Sequence, residues 1–231
     1  MKKISKSIVV FALAGMCFVS CKDEKKEKEI ITYNVETTEN PSEEKVAPMS
    51  IKTVFNANLA TEADLSALGL NAETVSQIVE KRPFLSMLEL DALLQVENKE
   101  EVYKTLFVPF NLNTTAEADF MMIPGVGKKM AHEFEEYRPY TSVKQFKREI
   151  GKYVDEDEVK RYLNYVFVPV ELNTATEEDI KALPGVGDKM AHEFEEYRPY
   201  KNMAQFRKEI GKYVDDNELK RLERLVYLKD N

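Results

Sequence analysis

Ile123-Pro124-Gly125-Val126-Gly127-Lys128-Lys129-Met130-Ala131 returns sixty residues later as Leu183-Pro184-Gly185-Val186-Gly187-Asp188-Lys189-Met190-Ala191. The identity then runs on: Lys129 to Tyr140 (KMAHEFEEYRPY) equals Lys189 to Tyr200, and Glu149 to Asp155 (EIGKYVD) equals Glu209 to Asp215. A fainter copy begins at Phe55, where FNANLATEADL parallels FNLNTTAEADF from Phe110, and Arg82-Pro83-Phe84 parallels Arg138-Pro139-Tyr140. A fixed period of this kind marks a tandem array of one structural unit. The spacing predicts three units, at 53–109, 110–169 and 170–231.

Each unit reads as about four short helices, so the expected class is all-α. In the second unit Thr114, three residues before Glu117, is expected to form a capping box that opens the first helix. Pro124-Gly125-Val126-Gly127 breaks that helix, and a second is expected from Lys128 to Tyr137. Val126, Met130, Phe134 and Tyr137 then share one apolar stripe. Arg138-Pro139 ends it. A third helix carries Val143, Phe146 and Ile150 on one face. A fourth, capped by Asp155 with Glu158, turns Val159, Tyr162 and Val166 inward. Thr174/Glu177 and Asp215/Glu218 repeat these caps in the third unit. Units of about sixty residues are marginal as independent cores, which favours packing between neighbours.

The turn between the first two helices carries the chemistry. Glycines on either side of Val126 permit a backbone path that a Cβ would obstruct. Val126 is expected to anchor the turn from inside, leaving the amides of Gly125, Gly127 and Lys128 unpaired at a helix N-terminus. Free N–H donors at the positive end of a helix dipole suit a phosphate oxygen. Lys128 and Lys129 add charge at the same end. Such contacts read the nucleic-acid backbone and not its sequence.

Leu112-Asn113-Thr114, Ile123-Pro124-Gly125-Val126-Gly127 and Ala131 resemble the helix-hairpin-helix domain of the bacterial competence protein ComEA, as do Leu172-Asn173-Thr174, Leu183-Pro184-Gly185-Val186-Gly187 and Ala191. The resemblance covers nearly all of the second and third units. It implies tandem (HhH)2-like repeats and sequence-independent binding of double-stranded DNA outside the cytoplasm. The phosphate contacts it implies are Gly125, Val126, Gly127, Lys128 and Lys129, with Gly185, Val186, Gly187 and Lys189 in the third unit. That family also has relatives, such as an extrinsic photosystem II subunit, whose fold serves protein assembly. A non-enzymatic interaction or scaffold module with an envelope protein partner is therefore the alternative.

The copies are unequal. The third has Asp188 in place of Lys128. The first reads Leu68-Gly69-Leu70-Asn71, without the proline, the second glycine or a following lysine, and has Asn58-Leu59 where the others have Leu-Asn-Thr. It is expected to be structural. The Gly151–Asp155 turn between the later helices has one glycine and ends in acid, so no second full hairpin is expected there.

His132 and His192 stand singly with no zinc-binding spacing, so no metal site is expected. Glu133, Glu135 and Glu136 read as a solvated helix face, and Tyr137, Tyr140, Tyr197 and Tyr200 as core and turn packing. No nucleophile-base pairing and no Walker-type loop occurs in the sequence. The expectation is a non-enzyme without cofactors.

The N-terminus has Lys2, Lys3 and Lys6, an apolar stretch from Ile8 to Val19, and Ser20-Cys21. Residues 1–20 read as a signal peptide, the apolar run being too short to span a bilayer. Phe18-Val19-Ser20-Cys21 resembles the lipobox of bacterial lipoproteins, which implies lipidation at Cys21 and a membrane anchor; a plain signal peptide with an incidental cysteine is the alternative. Lys22 after the cysteine resembles lipoproteins sent to the outer membrane, on its periplasmic face or at the cell surface. Residues 21–52 are charge-dense and read as a flexible tether.

The net charge of -8, from 33 basic and 41 acidic residues, at first argues against a nucleic-acid partner. Loss of the signal's three lysines takes it to -11. The second unit, with nine basic and ten acidic side chains over 110–169, is the nearest to neutral. DNA binding is therefore expected to be local, weak and salt-sensitive.

Overall fold

A computed structural model describes residues 54–229. The expected signal peptide, Cys21 and the expected tether lie outside the described residues.

The chain forms the same succession of elements three times. In the first repeat β1 (Phe55–Asn56) leads to α1 (Glu62–Ala67), α2 (Ala72–Glu80), α3 (Met87–Asp91), α4 (Lys99–Tyr103) and β2 (Leu106–Phe107). The second runs β3 (Phe110–Asn111), α5 (Glu117–Phe120), α6 (Lys128–Glu136), α7 (Val143–Ile150), α8 (Glu156–Tyr162), β4 (Val166–Phe167). The third runs β5 (Val170–Glu171), α9 (Glu177–Lys181), α10 (Asp188–Glu196), α11 (Met203–Ile210), α12 (Asp216–Glu223), β6 (Val226–Tyr227). The architecture is helical, with twelve short helices among the described residues.

The strands are an addition to the all-α expectation. The first strand of each repeat pairs in parallel with the last, in the register Phe55↔Leu106, Phe110↔Val166 and Val170↔Val226. Two-residue strands are too short to show alternation in sequence. Val166 is thus buried as expected, but from β4 and not from the fourth helix.

Helix starts follow side-chain capping, though not always where the spacing placed it. Asp155 and Asp215 accept from the amides of Glu158 and Glu218 at 2.8 Å, as anticipated. The caps expected at Thr114 and Thr174 are displaced by two residues. The N-cap of α9 is Thr176, which accepts from Asp179, and that of α5 is Ala116, which has no side-chain acceptor. Thr114 and Thr174 belong to the turn that leaves the preceding strand, their amides bonded to the carbonyls of Asn111 and Glu171 at 3.3 Å. The residue two positions later has the extended backbone that a cap requires. In the first repeat Thr61 and Asp64 form a complete capping box.

Two recurring sequence marks meet in space. Asn113 Nδ2 donates to the carbonyl of Tyr140 at 2.8 Å, and the Tyr140 amide donates to Asn113 Oδ1 at 2.7 Å. Asn173 and Tyr200 repeat the exchange, and so do Asn58 and Phe84. The first repeat therefore keeps the asparagine's structural role although it lacks the full Leu-Asn-Thr. The arginine of each Arg-Pro pair ties the same turn to the repeat's start. Arg198 donates to the carbonyls of Leu172 and Ala175 at 2.6 and 2.9 Å, and Arg82 to those of Ala57 and Ala60 at 2.7 and 2.6 Å.

Aromatic rings fill the centre. Phe120, Phe134 and Phe146 are fully buried, and Phe134 meets Phe120 and Tyr162 edge-on with centroids 5.3 and 5.2 Å apart. The first two repeats share one apolar cluster, joined where Phe107 packs edge-on against Phe110 at 5.2 Å and Tyr165 at 5.0 Å. The third has its own cluster around Phe194 and Phe206. Arg224 of the third repeat donates to the Pro109 carbonyl at 2.8 Å and lies over the Phe167 ring, 5.2 Å from its centroid. Burial pushes its guanidinium down to about 10.

Candidate nucleic-acid interface

Three hairpins join the first two helices of the repeats, and all three turn on a left-handed glycine: Gly69 at φ 79°, Gly125 at φ 78° and Gly185 at φ 71°. A side chain with a Cβ is strained in this region of backbone space.

In the second repeat the Val126 amide donates to the Ile123 carbonyl at 2.9 Å, and its side chain is buried under the turn. Gly127 is the N-cap of α6 and supplies no side-chain acceptor. Its carbonyl receives the Ala131 amide at 3.0 Å, the first bond of the helix. The amides of Gly125, Gly127, Lys128, Lys129 and Met130 donate no hydrogen bond to any described residue. The free set is larger by two than the three expected from sequence, because glycine at the N-cap offers no side-chain acceptor to the amides of Lys129 and Met130. Gly125, Gly127, Lys128 and Lys129 are all exposed.

The charge at this end of α6 opposes helix stability. Acidic side chains are favoured in a first turn and cations disfavoured, yet α6 has no acid there and two lysines. Neither lysine has an ion-pair partner among the described residues. Sequence reasoning missed Arg161, which comes from α8. Its Nη2 stands 3.4 Å from where a Cβ on Gly125 would lie, and its side chain is one-third exposed. Glu158 holds it at 2.7 and 2.6 Å, and the guanidinium lies 4.9 Å from the centroid of the Tyr162 ring.

The third hairpin has the same backbone and different surroundings. Val186 is buried, and Gly185, Gly187, Asp188 and Lys189 are exposed. Asp188 pairs with Lys181 at 2.9 Å, and Lys181 also reaches Glu177 at 2.6 Å. These two carboxylates hold the Lys181 ammonium well above its usual range. Arg221, the counterpart of Arg161, is only 2% exposed. It donates to the carbonyls of Pro184 and Gly185 and to Glu218. The first hairpin is closed by its own side chain: Asn71 Oδ1 accepts from the Thr74 amide at 2.8 Å.

Other singled-out residues lie nearby or apart. His132 Nδ1 donates to the Glu117 carboxylate at 3.2 Å, and Glu136 stands 3.8 Å from Nε2. Its pKa is raised above 6.5 chiefly by that bond to Glu117. His192 has Glu196 at 3.7 Å, Glu177 being engaged by Lys181. Glu135 pairs with Arg138 at 3.2 Å. Tyr140 and Tyr200 are buried, while Tyr137 and Tyr197 share hydroxyl bonds of 2.7 Å with the exposed Tyr153 and Tyr213. The rings are thus occupied by the fold and by each other.

Comparisons with curated proteins and with solved structures each returned no match. Residues 166–226, from β4 through β6, match the helix-hairpin-helix motif family, so the chain carries such a motif in its third repeat.

Proposed function

We propose that this protein binds double-stranded DNA without sequence preference, through phosphate contacts at the Gly125–Lys129 hairpin. The observation that carries this reading is the start of α6: free amides, two unpaired lysines and no acid at one exposed helix end. The helix dipole adds to the same attraction. A few phosphate contacts give a Kd on the order of 10⁻⁴–10⁻⁶ M, weakening steeply with salt.

The test is a low-salt titration of a mixed-sequence duplex. Lys128→Glu combined with Lys129→Glu is expected to lower affinity by at least about tenfold, each charge being part of the counterion-release contribution. Unchanged affinity with an intact helical spectrum defeats the reading.

The Phe18–Cys21 stretch supports a further part of the proposal, that the chain is a lipoprotein held by lipidated Cys21 at the outer membrane, with a role akin to DNA uptake. Cys21→Ser is expected to abolish incorporation of labelled fatty acid and release the protein from membranes. The second reading, a scaffold module with an envelope protein partner and no DNA, is favoured by the acidic net charge of -8 and by the closed first hairpin. It predicts no duplex retention even at low salt.

A further inference from the structure

We propose that the third hairpin is the seat of the first repeat, with Leu59 as the contact residue, and that the second hairpin is the single DNA contact. The second clause rests on the DNA reading above; the first does not.

Leu59 lies in the first repeat where the other repeats have Thr114 and Thr174. A Cβ built on Gly185 would fall 2.5 Å from Leu59 Cδ1 and 3.1 Å from Cδ2. The leucine methyls thus press on the bare Cα of the third hairpin. Gly185 therefore combines a left-handed turn, which requires glycine, with the approach of a side chain from another repeat. The matching position in the second hairpin meets only Arg161, from its own repeat.

Two further features divide the hairpins the same way. Arg221 is buried and spends two donors on the carbonyls of Pro184 and Gly185, bracing the turn from behind. The third helix start carries Asp188, a carboxylate that repels phosphate, in place of Lys128. Arg224 of the third repeat also lines a cleft with Leu85, Ser86 and Leu88 of the first and with Phe110 and Asp119 of the second. The first repeat, whose own hairpin is filled by Asn71, thereby has a task that needs no free amides: it holds the third.

Two measurements on the full chain separate the clauses. In solution NMR, through-space contacts between the Leu59 methyls and the Gly185 Hα are expected, and they vanish in Leu59→Ser while the helical spectrum persists. Their absence in the unmodified chain overturns the seat. Lys129 and Lys189 open an identical twelve-residue stretch, so Lys129→Glu and Lys189→Glu form a matched pair for duplex titration. The first is expected to weaken binding by at least about fivefold and the second by less than about twofold, since only a lysine that contacts phosphate releases counterions on binding. Equal losses overturn the single-contact assignment and leave DNA binding itself standing. If the unmodified chain binds no duplex, the DNA reading and the second clause fall together, and the Leu59–Gly185 proximity decides the first.

Discussion

Asn113 and Tyr140 are twenty-seven residues apart and exchange two hydrogen bonds, the asparagine amide acting toward the tyrosine backbone as a second strand would. Tyr140 is fully buried, so neither of its backbone groups has water as a substitute.

Asn113→Ala is expected to destabilise the chain by about 2–4 kcal/mol, because a buried amide and a buried carbonyl both lose their partner. Urea unfolding measures it. Asn173→Ala should cost a similar amount. A loss under about 0.5 kcal/mol would mean that the exchange contributes nothing net.

The caps give a comparison of opposite signs. Ala116→Thr places a hydroxyl at the N-cap of α5, with Asp119 in the position that Asp64 and Asp179 hold in the other repeats. It is expected to stabilise by about 0.5–1 kcal/mol, whereas Asp155→Ala costs about 1 kcal/mol. Thr114→Ala, outside any cap, should change little. Thermal unfolding of the three variants distinguishes them.

The glycines of the second hairpin should respond differently. Gly125→Ala forces a Cβ into the left-handed region and is expected to cost about 1–2 kcal/mol. Gly127, at φ -89° with open space around it, should accept alanine at about 0.5–1 kcal/mol, the difference between glycine and alanine as an N-cap. Denaturant midpoints check both.

His132 provides a pH dependence. Its folded pKa is raised above the usual 6.5, first by the bond to Glu117 and next by that residue's charge. The stabilisation is fully present below the unfolded value and is lost as pH rises through the folded one. Unfolding between about pH 5 and pH 8 should therefore show stability falling with pH at this step. Glu117→Gln is expected to flatten the step and to return the imidazole titration, followed by NMR, toward 6.5.

The hairpins were legible because their causes are local. Glycine at Gly125 is required by the sign of φ, and the Lys128 helix start follows from Pro124 and two glycines within four residues. The apolar stripe through Val126 and Phe134 likewise needs only the helical period. What escaped was settled between distant segments. Two-residue strands leave no periodic trace, and the Asn113–Tyr140 exchange shows in sequence only as two marks that recur together. The two-residue error at Thr114 and Thr174 arose because the turn after each strand, unseen in the sequence, consumes those residues. Arg161 and Leu59 reach their hairpins from another helix and another repeat, and no spacing encodes such an approach.

The parallel pairing of first and last strands fixes how each repeat bears tension. Only Val108-Pro109 and Val168-Pro169 separate one pair from the next, so each bundle of four helices hangs as a loop from a short continuous line of strand. A pull on the chain's two ends draws β1 and β2 past one another along their length, and likewise β3 past β4 and β5 past β6. The inter-strand bonds are then loaded together in shear, not opened one at a time. The helices of each repeat are shielded from such a pull until its strand pair yields.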